Sequence, residues 1–407
     1  MHKVRKEKQY SILLLLCLVL VTLSLGCDQK KSLPEIDMYI EEKMQTDHLP
    51  GVAVCIIKDG KVHWSNGYGW ANIEEKIPMT ENSIMNIGSI SKTVTTTAIM
   101  QLQEKDEFSL DDDINDYLKF PIMNPSYPNI PITFKQLLTH TSSIKDGSSY
   151  NESYKCGDPT ITLPTWIKEY LTPDGLYFSQ DENFSKFKPG EQWQYSNIGF
   201  GLLGVLVEEI SGLSFGDYCK KHIFLPLGME ESSWYLSDLD QTNHAVPYAY
   251  IADGKLPGLL QKQYEGEATA KEGFVPHCLY SFPNISDGLL RTSVKQLSQF
   301  LIAYLNSGLH NNSRILKEST ISTILSSHVD DSKLPKGYIR QGLCWRIKAF
   351  DSDDLVWGHG GGDPGVRTLA TFRPSDGIGT IVFTNSGSGS AAIKDITHQL
   401  YKKAINL

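Results

Sequence analysis

Ser89 and Lys92 stand three residues apart in IMNIGSISKTVTTTAIMQLQ, Ile84 to Gln103. On a helix that spacing puts two side chains on one face, one turn apart, so the amine can reach the hydroxyl. A serine hydroxyl is a poor nucleophile until a neighbour accepts its proton. A lysine accepts it only when neutral, and burial lowers its pKa toward that state. The flanking residues are small and apolar, which predicts a buried, uncharged Lys92 acting as base on Ser89. Gly88 leaves room for a tight entry, and a serine at a helix start lies near free N–H groups at the positive end of the dipole. The plainer alternative is a capping serine beside a solvated lysine, and the spacing alone does not exclude it.

Two further segments carry polar groups in suggestive order. In KPGEQWQYSNIGFG, Tyr195 and Asn197 can present their polar ends to one cleft. Tyr195 could share or relay the serine proton, and Asn197 could hold Lys92 or a substrate carbonyl. In VWGHGGGDPGVRT, His359 precedes Gly360, Gly361 and Gly362. Glycines on a strand edge let a substrate backbone lie close. The N–H groups of Ser89 and Gly362 are then candidates for an oxyanion hole. Taken singly, these are also a packing tyrosine, a capping asparagine and a glycine turn beside a surface histidine.

The elements that must position these residues are legible in outline. GVAVCIIKDGKVHWSNGYG reads as two strands around an Asp59-Gly60 hairpin turn. A helix runs from the Ser89 region to about Gln103, and another, Phe200 to Gly212, ends at a glycine cap. A third starts near Ser293. LCWRIKAF, VRTLATFRP and GTIVFTNS return to strands, and a helix from about Ala391 to Ile405 closes the chain. Strands at both ends with helices between them predict an α+β fold: one antiparallel sheet built from about 50–70 and 340–407, flanked by helices, with a mainly helical insert over about 89–330.

The order SxxK, then YxN, then a histidine-glycine strand near the C-terminus resembles the serine β-lactamase and penicillin-binding-protein superfamily. It is most similar to the class C β-lactamase branch, with its DD-peptidases, D-aminopeptidases and family VIII esterases. ITFKQLLTHTSSI resembles the family's LLTHTSGL segment, with Ser143 where glycine is usual; IFLPLGMEESSW resembles its PLGM turn; SDGLLRTSVKQLSQFL resembles a further helix start. The resemblance implies a β-lactamase/transpeptidase-like fold and an acyl-enzyme on Ser89. Lys92 and Tyr195 would share the base work, and which of them takes the proton is left open. Asn197, His359, Gly360 and Gly361 would bind substrate, and Ser89 and Gly362 would form the oxyanion hole. Dedicated β-lactamases carry lysine at the position of His359. A mostly neutral histidine there predicts less preference for carboxylated β-lactams and more room for esters or capped peptides. A penicillin-binding sensor or scaffold of the same fold, acylated once without turnover, is the alternative.

The chain has 407 residues, 40% of them hydrophobic and 21% charged, with a formal net charge of -9. That composition fits a globular protein and disfavours nucleic acid or an anionic membrane surface as partner. The expected partner is a small-molecule or peptide substrate. MHKVRKEKQY followed by SILLLLCLVLVTLSLG reads as an export signal over 1–26, with a tether over 27–34 and the catalytic domain over 35–407. Cys27 directly after Leu-Gly resembles a bacterial lipoprotein cleavage site, although Ser24 stands where that pattern has leucine. The expectation is an exported protein held at the cell envelope by lipid on Cys27, with no other membrane contact. The five cysteines beyond the leader show no metal spacing, and one disulfide among them is possible. No metal or cofactor is expected. GLSFG, Gly212 to Gly216, matches a nucleophile elbow at Ser214, but a helix precedes it where an α/β-hydrolase needs a strand.

Overall fold

The computed structural model describes residues 33–251, 270–349 and 355–407. The leader, Cys27 and nearly all of the tether lie outside the described residues. The large sheet has eight strands, numbered here in chain order: β1 Gly51–Lys58, β2 Lys61–Asn72, β3 Ile77–Pro78, β4 Arg340–Gln341, β5 Arg346–Ala349, β6 Leu355–Asp363, β7 Val366–Arg373 and β8 Ile378–Thr384. Their spatial order is β4-β5-β6-β7-β8-β1-β2-β3, and all neighbours are antiparallel. The N-terminal hairpin therefore joins the C-terminal meander through β1 and β8. This is the predicted sheet.

The turn between β1 and β2 has positive φ at both Asp59 (49°) and Gly60 (72°), the geometry that matches the twist of a two-residue hairpin. Every residue of β8 is buried, and β1 is buried except at its last residue. Strands apolar on both faces need cover on both. Two of the helices that supply it are α5 (Val294–Leu305), which touches β8 at Leu301 over Gly379, and α6 (Ser390–Ile405), which packs on β7, β8 and β1.

A helix α1 (Pro34–Thr46) precedes β1 in the chain, and the insert holds α2 (Ser91–Gln103), α3 (Leu163–Leu171) and α4 (Asn197–Ser211) among loops and short strands. α2 packs against α4, and twelve of its thirteen residues are buried. Five of those are threonine or serine. Thr93, Thr96 and Thr97 return their hydroxyls to backbone carbonyls three or four residues earlier, so a polar helix can lie in the core. α4 ends at Gly212 in the left-handed conformation (φ 72°), as its glycine cap predicts.

One disulfide joins Cys156 to Cys278, 122 residues apart, and Cys55, Cys219 and Cys344 are buried thiols. The bridge ties the loop after Tyr154 to the segment carrying His277 and Tyr280. Closing so long a loop removes much unfolded-state entropy. A Cys156→Ser/Cys278→Ser variant is expected to lose about 2–4 kcal/mol in urea melts. Among the described residues no single helix is long and apolar enough to cross a membrane.

Candidate active site

Ser89 lies in a single 3-10 turn, Gly88–Ile90, that runs into α2. Gly88 has φ 54°, and a Cβ there would stand 2.7 Å from the Gly362 nitrogen on β6. Glycine is thus required twice, by conformation and by the approach of the two segments. This approach brings the peptide before Ser89 against the strand segment expected to complete the oxyanion hole. Gly361 pins the contact: it sits directly over the Ile87 carbonyl, which accepts the Thr368 hydroxyl at 2.7 Å.

Lys92, one turn on, is fully buried. Its Nζ donates to Ser89 Oγ (3.1 Å), Asn197 Oδ1 (2.6 Å) and the Asp287 carbonyl (2.8 Å), with Asp287 Oδ2 at 3.3 Å. The Tyr195 ring centroid lies 5.0 Å away. Ser89, Lys92, Tyr195 and Asn197 therefore meet as the spacing suggested. The charge of Lys92 is a correction. Burial pulls the ammonium down, but Tyr195, Asp287 and Asp146 more than offset it, and the net shift is upward. Lys92 is a charged donor in the resting site, not the neutral base that its apolar surroundings predicted.

The YSN segment is fixed from below. Ser196 caps α4 by accepting the Gly199 N–H at 2.9 Å. The Asp146 carboxylate accepts the N–H groups of Asn197 (2.8 Å) and Ile198 (3.0 Å), and His140 Nδ1 accepts that of Ser196 (3.2 Å). An anion at a helix N-terminus satisfies donors that the helix cannot. Asn197 is held so that its amide oxygen faces Lys92.

Asp287 was not visible as a site residue in the sequence. Its carboxylate accepts from Asn284 Nδ2 (2.8 Å) and the Tyr150 hydroxyl (2.9 Å), and burial pushes it up to about 7 despite Lys92. Its neighbour in the wall, Asp363, accepts from the Tyr154 hydroxyl (2.7 Å) and Asn86 Nδ2 (3.0 Å), and burial pushes it up to about 6.

His359 departs from expectation. Its side chain is 1% exposed and does not line the 830 Å³ cavity that opens at Ser89. Arg346 on β5 donates to its Nε2 at 3.0 Å, and its Nδ1–H bonds the Gly360 carbonyl at 2.9 Å. Burial and the adjacent guanidinium hold its pKa well below the usual histidine range. The neutral histidine is as predicted, and a guanidinium stands beside it: Arg346, whose Cζ is 5.4 Å from the Tyr195 ring centroid. Gly362 lines the Ser89 cavity; Gly360 and His359 line a separate one of about 390 Å³ with Arg346 and Lys336, and Gly361 lines neither.

Ser214 is exposed, bonds Asp217 (2.7 Å) and caps a five-residue helix. Among the described residues no lysine or histidine bonds it, and its hydroxyl accepts the Asp217 N–H, so the elbow match is a capping turn. Ser214→Ala is expected to leave hydrolysis unchanged in the same assay that Ser89→Ala abolishes. Among the described residues no group of three or more His, Cys, Asp or Glu could hold a metal.

Comparison with known proteins bears on the family and the fold. The chain is 26% identical over 355 residues to penicillin-binding protein 4* of Bacillus subtilis (strain 168), covering 85% of this chain and 70% of that protein. It is 29% identical over 219 residues to protein flp of Staphylococcus aureus (strain MRSA252), covering 53% of this chain and 40% of that one. Of this second relative the chain thus spans well under two thirds. Among solved structures, the octameric penicillin-binding protein homologue from Pyrococcus abyssi superposes with TM-score 0.70 at 27% identity, over 92% of this chain and 77% of that one. A class C β-lactamase shares the fold with TM-score 0.67 at 18% identity, over 90% of this chain and 94% of that one. The sequence profile of the Beta-lactamase family matches residues 36–402, and the chain belongs to that family.

Proposed function

We propose that this protein is an exported serine hydrolase that forms an acyl-enzyme on Ser89 and acts on an ester, a D-amino-acid peptide or a β-lactam. The observation that carries the reading is the 3.1 Å contact from a buried, charged Lys92 to Ser89 Oγ. In the cycle, Ser89 Oγ attacks the carbonyl carbon and the oxyanion meets the N–H groups of Ser89 and Gly362. The serine proton passes to Tyr195 when its phenol oxygen is ionised with the adjacent Lys92 ammonium as counter-charge, since Lys92 already holds its own proton. Tyr195 returns it to the leaving group as the tetrahedral adduct collapses. Water, activated by the same tyrosine, then releases the acid and regenerates Ser89. Lys92 stabilises the alkoxide character of Oγ throughout. No step calls on a metal or cofactor.

The basic leader and Cys27 support export with lipid attachment. The Cys156–Cys278 bridge fits an oxidising compartment. The test compares the protein with Ser89→Ala on nitrocefin, a D-Ala-D-Ala peptide and p-nitrophenyl butyrate. Repeated turnover of at least one substrate, lost in Ser89→Ala, is expected. A single stoichiometric burst would instead favour the sensor reading.

A further inference from the structure

The cavity beside Ser89 is unbalanced in charge. Lys92 is paired with Asp287, and the Asp146 carboxylate is engaged by the start of α4. Asp363 also lines the cavity, directly after Gly362, and is half-buried. Among the described residues no lysine, arginine or histidine lies within ion-pair distance of its carboxylate. Arg367 lines the same cavity, but its guanidinium is turned to the Asp363 and Val366 carbonyls and to Ser390 Oγ.

A second observation points to the same kind of ligand. His277 lines the cavity, is 4% exposed, and its Nδ1 meets no partner. Burial drives its imidazole down to about 4, so it is neutral and offers a lone pair. A buried ring nitrogen without a partner costs stability unless a ligand supplies one, and the neutral ring has one nitrogen that accepts. A carboxylate with no counter-ion among the described residues and a neutral imidazole both accept; together they suit a donor-rich cation and repel an anion.

The side of the scissile bond follows from Tyr195. It does not line this cavity, its ring lies on the Arg346 side of Lys92, and in the reaction above it protonates the leaving group. The leaving group therefore departs toward Arg346, and the cavity holds the acyl part. We propose that Asp363 and His277 receive a protonated amine on the acyl group, so that the enzyme prefers aminoacyl amides and peptides with a free N-terminal amine over their N-acylated forms. This rests on the Ser89 acyl-enzyme reading.

The experiment measures kcat/KM for the D- and L-alanine p-nitroanilides and their N-acetyl counterparts, with p-nitrophenyl butyrate alongside. A preference of about tenfold or more for the free amine, in at least one configuration, is expected. That ratio should rise from pH 5 to pH 7.5 as Asp363, near 6, ionises. Asp363→Asn should reduce the ratio about fivefold or more, and His277→Leu should reduce it too, which keeps the test open if the first variant misfolds. Equal rates on free and acetylated substrates, turnover of the butyrate ester but of neither anilide, or a ratio unchanged in both variants overturns the amine subsite. Failure of a fluorophosphonate to label Ser89 overturns the acyl-enzyme reading instead.

Discussion

Lys92→Ala is expected to lower kcat/KM by about a thousandfold or more on any substrate that the wild-type protein turns over. The Nζ makes three hydrogen bonds and one ion pair at once, so its loss removes the charge facing Ser89 Oγ and the anchor of Asn197 together. Groups that act as a unit fail as a unit. The same variant has a distinctive stability profile. Asp287 stands near 7 with Lys92 pulling it down, and moves higher once the ammonium is gone. A carboxyl whose folded pKa is raised binds a proton in the folded state that the unfolded chain has lost. Its folded form is therefore penalised as pH rises from about 4 to the folded pKa. In Lys92→Ala that penalised window extends above 7. Urea melts should show the variant up to about 1 kcal/mol less stable at pH 8 than at pH 6, relative to the change in wild type. A variant with full activity, or with the wild-type pH dependence, contradicts the assigned role.

Gly361→Ala is expected to cost about 3 kcal/mol or more and to lower kcat by about a hundredfold or more. A Cβ there would collide with the Ile87 carbonyl oxygen and the Thr368 hydroxyl, neither of which can turn aside. The Ile87 carbonyl precedes the nucleophile turn, and Gly361 precedes Gly362. Relief of the clash must separate the two halves of the oxyanion hole. Gly360→Ala is the control, because its nearest neighbour would lie at 3.5 Å, ordinary contact. It should melt within about 0.5 kcal/mol of wild type. Thermal melts and steady-state rates on p-nitrophenyl butyrate check both variants.

What was legible in the sequence was local. The Ser89–Lys92 spacing, the Asp59-Gly60 turn and the Gly212 cap each follow from a short stretch and its backbone geometry. Ser143, standing where the family has glycine, is at φ 66°, which shows why glycine is usual there. The residues that tune the site were hidden because topology, not spacing, delivers them. Asp287 arrives 195 positions after Lys92. Arg346 reaches His359 because β5 and β6 are neighbours, with Arg346 opposite Gly358. Each left a faint signal: an aspartate in the apolar run around SDGLL and one arginine in LCWRIKAF. The wrong charge on Lys92 had the same origin. Its sequence neighbours are apolar, but the groups that set its proton come from distant segments. The disulfide was likewise open until the fold brought Cys156 and Cys278 together.

The most direct measurement is intact-protein mass spectrometry followed by peptide mapping after exposure to a fluorophosphonate and, separately, to a penicillin. The account predicts one stoichiometric adduct on the peptide containing Ser89, absent in Ser89→Ala and greatly slowed in Lys92→Ala. An adduct on Ser214 or any other side chain, or undiminished labelling of Ser89→Ala, would contradict it.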